Sequence, residues 1–199
     1  MEFDKYFEAG MEYSAYYAGL EKAVNEKRTS GPVQSEELIN YTKLNLHRSR
    51  RVYKQTVLLP ELLSATENLP FAIRALCLTE YWCGDSAQIL PFFHKLEETT
   101  GKLSIRILFR DENLPLMDAY LTRGGRSIPK FVFYHTQTLK ELAVWGPRPL
   151  KAQILMDEMK QAGKDKPVII EALHRWYAAD KTFSIQQEMM LLLHQIQPL

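Results

Sequence analysis

The sequence is short of cysteine, of long apolar runs and of excess charge of either sign. Its 199 residues include two cysteines, Cys77 and Cys83. That is too few for the disulfide framework of a small secreted domain. No apolar run approaches the ~18–20 residues that span a bilayer, so no membrane segment is expected. Lysine and arginine (25) almost balance aspartate and glutamate (24), for a formal net charge of +1. Such a balance exerts no general pull on nucleic acid or on anionic membranes. The opening Met1-Glu2-Phe3-Asp4-Lys5-Tyr6 lacks the basic and apolar stretches of a secretory signal, and a cytoplasmic location follows as the default. His47, His94, His135, His174 and His194 show no paired ligand spacing, so neither a metal site nor a cofactor is expected. Repeats and low-complexity tracts are absent as well.

A hydrophobic fraction of 46% and a charged fraction of 25% are those of a globular chain. Residues 1–66 read as a helical extension. Tyr13, Tyr16, Tyr17 and Leu20 recur at helical spacing, Thr29-Ser30-Gly31-Pro32 breaks the segment, and Ser35-Glu36-Glu37 opens a second stretch. Pro60 either divides that stretch or starts a further short helix. From residue 71 the pattern changes. Residues 71–81 form an apolar run suited to a buried strand, and 103–109 alternate as another. Helices are expected over 85–100, 114–121 and 150–160, and strands over 129–134 and 139–145. The order β-α-β-α-β-β-α thus occupies a domain at 67–165. In 166–199, apolar stripes through Ile170, Leu173, Trp176 and Tyr177, then Phe183, Ile185, Met189 and Leu192, read as one long helix or two. Packing of that segment on the N-terminal helices is its expected use.

Trp82-Cys83-Gly84-Asp85-Ser86 stands where the first strand hands over to a helix. The free N–H groups and dipole of a helix start favour thiolate, so Cys83 is expected to have a lowered pKa and to act as a nucleophile. The position three residues on holds Ser86, so the site has a single sulfur. Ser86 either donates a hydrogen bond to the thiolate or satisfies an open helix N–H. Asp85 either complements the helix dipole or opposes the thiolate. Cys77 reads as a buried core residue, too far along the strand to resolve a disulfide at Cys83. Trp145 reads as core, and His47-Arg48-Ser49-Arg50-Arg51 as a solvated helix face.

Four features together resemble the thioredoxin superfamily: Trp82-Cys83-Gly84, Pro91 within the following helix, Ile128-Pro129 opening the third strand, and Gly146 ending the fourth. The whole chain is similar to bacterial thioredoxin-family proteins with helical extensions. The resemblance implies an α/β thioredoxin-like fold, a central mixed sheet of about four strands flanked by helices. It also implies a cis Pro129 facing Cys83 and a Gly146 that leaves room beside it. The resemblance further implies a substrate surface formed by Trp82, Gly84, Asp85, Ile128 and Pro129. Arg126, in the loop before Ile128, is a candidate for binding a substrate carboxylate. Ser86 in place of the second active-site cysteine, and Cys77 where the family often has a buried aspartate, are departures from the dithiol cycle. The expected function is therefore monothiol exchange. Cys83 would attack a disulfide in a protein or small molecule, and an external thiol such as glutathione would resolve the product. A non-catalytic peptide-binding module is the alternative. A weaker one is glutaredoxin-like iron–sulfur binding, from the likeness of Cys83-Gly84-Asp85-Ser86 to Cys-Gly-Phe-Ser.

Overall fold

The computed structural model describes residues 2–196. A short helix, α1 (Phe3–Ala9), precedes α2 (Tyr13–Asn25), α3 (Glu36–Gln55) and α4 (Pro60–Glu67). The Ser35 hydroxyl caps α3 by accepting from the Leu38 amide, and Pro60 takes the first turn of α4, where its missing N–H costs nothing.

The sheet follows as β1 (Ile73–Thr79), β2 (Leu103–Phe109), β3 (Lys130–His135) and β4 (Glu141–Trp145), in the spatial order β2-β1-β3-β4. β1 and β2 run parallel, while β1–β3 and β3–β4 are antiparallel. The parallel pair is joined by α5 (Gly84–Thr100), which ends at Gly101 in the left-handed conformation (φ 61°). The small α6 (Leu114–Asp118) lies between β2 and β3, and α7 (Leu150–Gln161) follows β4. This is the thioredoxin-like α/β arrangement with added helices. The sequence-expected strand over 71–81 is trimmed at both ends to Ile73–Thr79.

Alternation along the strands divides the interior in two. Ile73, Ala75, Cys77, Ile105, Ile107, Phe131 and Phe133 face the larger core, shared with α2, α5 and the C-terminal helices. Leu76, Leu78, Val132 and Tyr134 face a smaller one closed by Phe3 and Phe7 of α1 and by Leu116 and Met117 of α6. Cys83 and Ile128 belong to this second cluster. The outer edge of β2 is covered at Met11, whose N–H and C=O pair with Ile107.

The C-terminal segment forms two helices, α8 (Lys166–Asp180) and α9 (Phe183–Gln195). Lys181 and Thr182 are both left-handed, which breaks the helix. α8 packs on α7 and α9 on α4. No helix among the described residues is long and apolar enough to cross a membrane.

Candidate active site

The turn between β1 and α5 is held by the N-terminal helices. Tyr81 donates its amide to the Ser30 hydroxyl (2.8 Å), and its carbonyl accepts from Asn45 Nδ2 of α3 (2.9 Å). With both backbone groups taken from outside the sheet, Tyr81 cannot extend β1. The Cys83 amide turns back to the Glu80 carbonyl (3.1 Å), and α5 begins at Gly84.

Cys83 is the N-cap residue of α5, and its thiol faces the Ile128 carbonyl at 3.4 Å. The Ile128–Pro129 peptide is cis, as the resemblance implied. A Cβ on Gly146 would collide with the Pro129 carbonyl oxygen, and Gly146 has φ 112°. Only glycine therefore fits beside the proline. The following Gly146–Pro147 peptide is cis too, which the sequence did not suggest.

Burial reverses the expected effect of the helix start on the thiol. Cys83 is 6% exposed. Desolvation, with the Asp85 charge adding to it, pushes its pKa up to about 11 from an ordinary 9.0. Hydrogen bonds from the Ser86 hydroxyl and from the Ser86 and Asp85 amides pull the other way but do not offset burial. Ser86 is fully buried, and its oxygen accepts from the Thr79 hydroxyl. Its own proton is then free to point at sulfur. Cys77 lies inside β1, and burial raises its thiol as well. Both cysteines are free thiols.

Asp85 is engaged from two directions. Its carboxylate pairs with Arg148 (2.6 Å), both side chains being largely buried, and accepts from the Tyr177 hydroxyl of α8 (2.6 Å). The charge at the helix start therefore anchors the loop after β4 and the C-terminal helix to the thiol turn. His174, one turn before Tyr177, reaches Gly84. A Cβ there would stand 3.0 Å from the His174 ring, so the glycine makes room for α8. Gln88 Nε2, which can only donate, meets His174 Nδ1 at 3.2 Å, and this leaves the ring proton on Nε2. Burial and the nearby Arg48 charge lower the His174 pKa to about 4, so the ring is neutral.

Trp82, Cys83, Gly84, Asp85, Arg126 and Ile128 all line one cleft of about 620 Å³. Ser86 and Pro129 are both buried and do not line it, so the expected substrate surface at Pro129 is not exposed to this cleft. Arg126 is held by Asp118 in a two-pronged pair (2.6 and 2.8 Å), so its guanidinium is already occupied by a carboxylate. Trp82 is covered by the Arg110 guanidinium, 5.0 Å from the ring. Trp145 is core, with its indole N–H on Glu188 (2.7 Å). Sequence reading missed Arg48, Arg148, His174 and Tyr177 as site residues. The basic run that contains Arg48 is expected to be a solvated helix face, but the structure half-buries Arg48 and buries Ser49, and nothing in the sequence signalled this.

A family model described as thioredoxin matches residues 31–160. That match takes in α3 and α4 as well as the sheet. No curated protein matches the sequence. Among solved structures, a Pseudomonas aeruginosa protein of unknown function superposes with a TM-score of 0.62 at 14% identity, over 98% of each chain. An HIV epitope scaffold does so with a TM-score of 0.61 at 13% identity, again over 98% of each. At such identities these two likenesses speak for the fold, extensions included.

Proposed function

The chain belongs to the thioredoxin family, and on that premise we propose that it is a monothiol exchange protein centred on Cys83. The observation that carries this reading is the placement of the Cys83 thiol on the wall of an open cleft, 3.4 Å from the carbonyl that precedes cis-Pro129. A bound disulfide would approach from the cleft side. Cys83 sulfur bonds to one sulfur of the substrate, the S–S bond breaks, and the leaving thiolate takes up the proton that Cys83 gives away. Cys83 is thereby oxidised to a mixed disulfide while half of the substrate is reduced to a thiol. No second cysteine lies at position 86, so an external thiol such as glutathione attacks the mixed disulfide and regenerates Cys83. Ser86 would donate to the thiolate as it forms, and the backbone of Ile128 would align the substrate.

The test is to expose the reduced protein to a small disulfide and map the adduct by mass spectrometry. A mixed disulfide at Cys83, reversed by added thiol and missing in Cys83→Ser, is the expected result. No adduct between about pH 7 and about pH 10 would sink the reading.

The raised Cys83 thiol favours a second reading, a non-catalytic module that holds a peptide at the Pro129 edge. Capture of a client that is unchanged in Cys83→Ala supports that module. Capture abolished by the substitution rejects it.

A further inference from the structure

We propose that the cleft beside Cys83 takes a small disulfide bearing two or more negative charges. This deepens the exchange reading above and rests on it. The argument starts from an imbalance. The chain as a whole carries a net charge of +1. The cleft is lined by seven arginine and lysine side chains and by a single carboxylate, that of Asp85. Asp85 is already neutralised by Arg148 and bonded by Tyr177.

Four of those cations have protein partners. Arg148 has Asp85, Arg126 has Asp118, Arg110 has Asp111, and the exposed Lys166 has Glu37 at 3.3 Å. The other three, Arg48, Lys160 and Lys164, form no ion pair among the described residues. Lys160 acts on Asp157 only at longer range. Arg48 is the telling member. It is half-buried on α3, and its guanidinium donates to the Asn45 amide oxygen (2.9 Å) rather than to a carboxylate. Burial and the neighbouring Arg51 both weigh against its charge. A partly desolvated cation without a counter-ion is costly unless something anionic completes it. Neutral His174 stands beside it and supplies an N–H at the same wall.

Size and shape narrow the occupant to a small molecule. The volume of about 620 Å³ is that of a small-molecule pocket. Ile169 and Leu173 of α8 and Leu38 of α3 give it an apolar lining under the charged rim. In the exchange step the negative charge of the Cys83 thiolate passes to the departing sulfur, where the same cations stabilise it until it takes up the proton. Anionic groups on the substrate and the charge developed in the reaction thus draw on one field.

The test uses three disulfides of similar size, dithiodipropionate (doubly negative), hydroxyethyl disulfide (neutral) and cystamine (doubly positive). Rates of Cys83 modification are each divided by the rate with free mercaptoethanol. The anionic reagent should outpace the cationic one by roughly ten-fold or more at low salt. The ratio should shrink toward unity near 1 M salt, where the screening length is about 3 Å. Lys160→Gln combined with Lys164→Gln, both at exposed positions, should narrow the low-salt ratio. Equal normalised rates for all three reagents would overturn the charge preference while leaving exchange at Cys83 standing. Absence of any adduct would overturn exchange itself, and this inference with it. A ratio that ignores salt would also reject the electrostatic account.

Discussion

Titration of the Cys83 thiol is the most direct test of how burial and the helix start compete. A midpoint of about 11 replaces the ordinary 9.0. Near pH 7 the thiolate fraction then falls from ~10⁻² to ~10⁻⁴, about a hundred-fold. Alkylation by iodoacetamide, mapped to each cysteine by mass spectrometry, should therefore be at least that much slower at Cys83 than at a free thiol. It should climb about ten-fold per pH unit well past 9. Cys77, sealed in β1, should stay unmodified until the chain unfolds. Stability must follow with a definite sign. Between about pH 9 and about pH 11 the unfolded chain has lost the Cys83 proton while the folded chain keeps it. Folding therefore weakens as pH rises through that window, by about 1.4 kcal/mol per pH unit and about 3 kcal/mol in all from this residue. A midpoint at or below about 8.5 would refute the reasoning. It would mean that the amides and the Ser86 hydroxyl outweigh desolvation.

Gly146→Ala should cost on the order of 3 kcal/mol in urea denaturation, because its Cβ meets the Pro129 carbonyl and its φ is positive. A loss under about 1 kcal/mol would show that the loop relaxes freely. Asp85→Asn leaves the Arg148 charge buried without its partner and should cost about 3 kcal/mol, a fall in Tm of roughly 6–12 °C. The same substitution should lower the Cys83 midpoint, since a neighbouring negative charge is gone; an unchanged midpoint would count against that coupling. His174 should titrate near 4 by NMR. Its contribution is complete above its unfolded value of about 6.5 and is lost as pH falls toward 4, because the unfolded chain takes up the proton first. A midpoint near 6.5 would show that the ring is open to water.

The thiol turn was legible in the sequence because each of its marks is a local backbone demand. A cysteine at a strand-to-helix junction, a proline opening a strand and a glycine ending one are constraints that neighbouring residues express. Alternation marks β2, and the expected limits of β1 overrun because Tyr81 is apolar. Its pairing with Ser30 and Asn45 depends on residues 51 and 36 positions away. The rest of the site was hidden for the same reason. Tyr177 meets Asp85 across 92 residues, and no pattern in either segment announces the other. The expected lowering of the thiol pKa failed on that account. The helix start was read correctly, but the burial that overrides it comes from elements brought together only by folding. Arg126 lines the cleft, but the carboxylate that holds it, Asp118, lies on a separate short helix that the sequence does not link to it.

The wall that α8 contributes lies beyond residue 165, outside the stretch at 31–160 that the family match covers. The turn that carries sulfur lies inside that stretch, and the helix that walls its cleft lies outside it. Substitutions in the tail can alter which molecules reach Cys83 while the motif residues stay fixed.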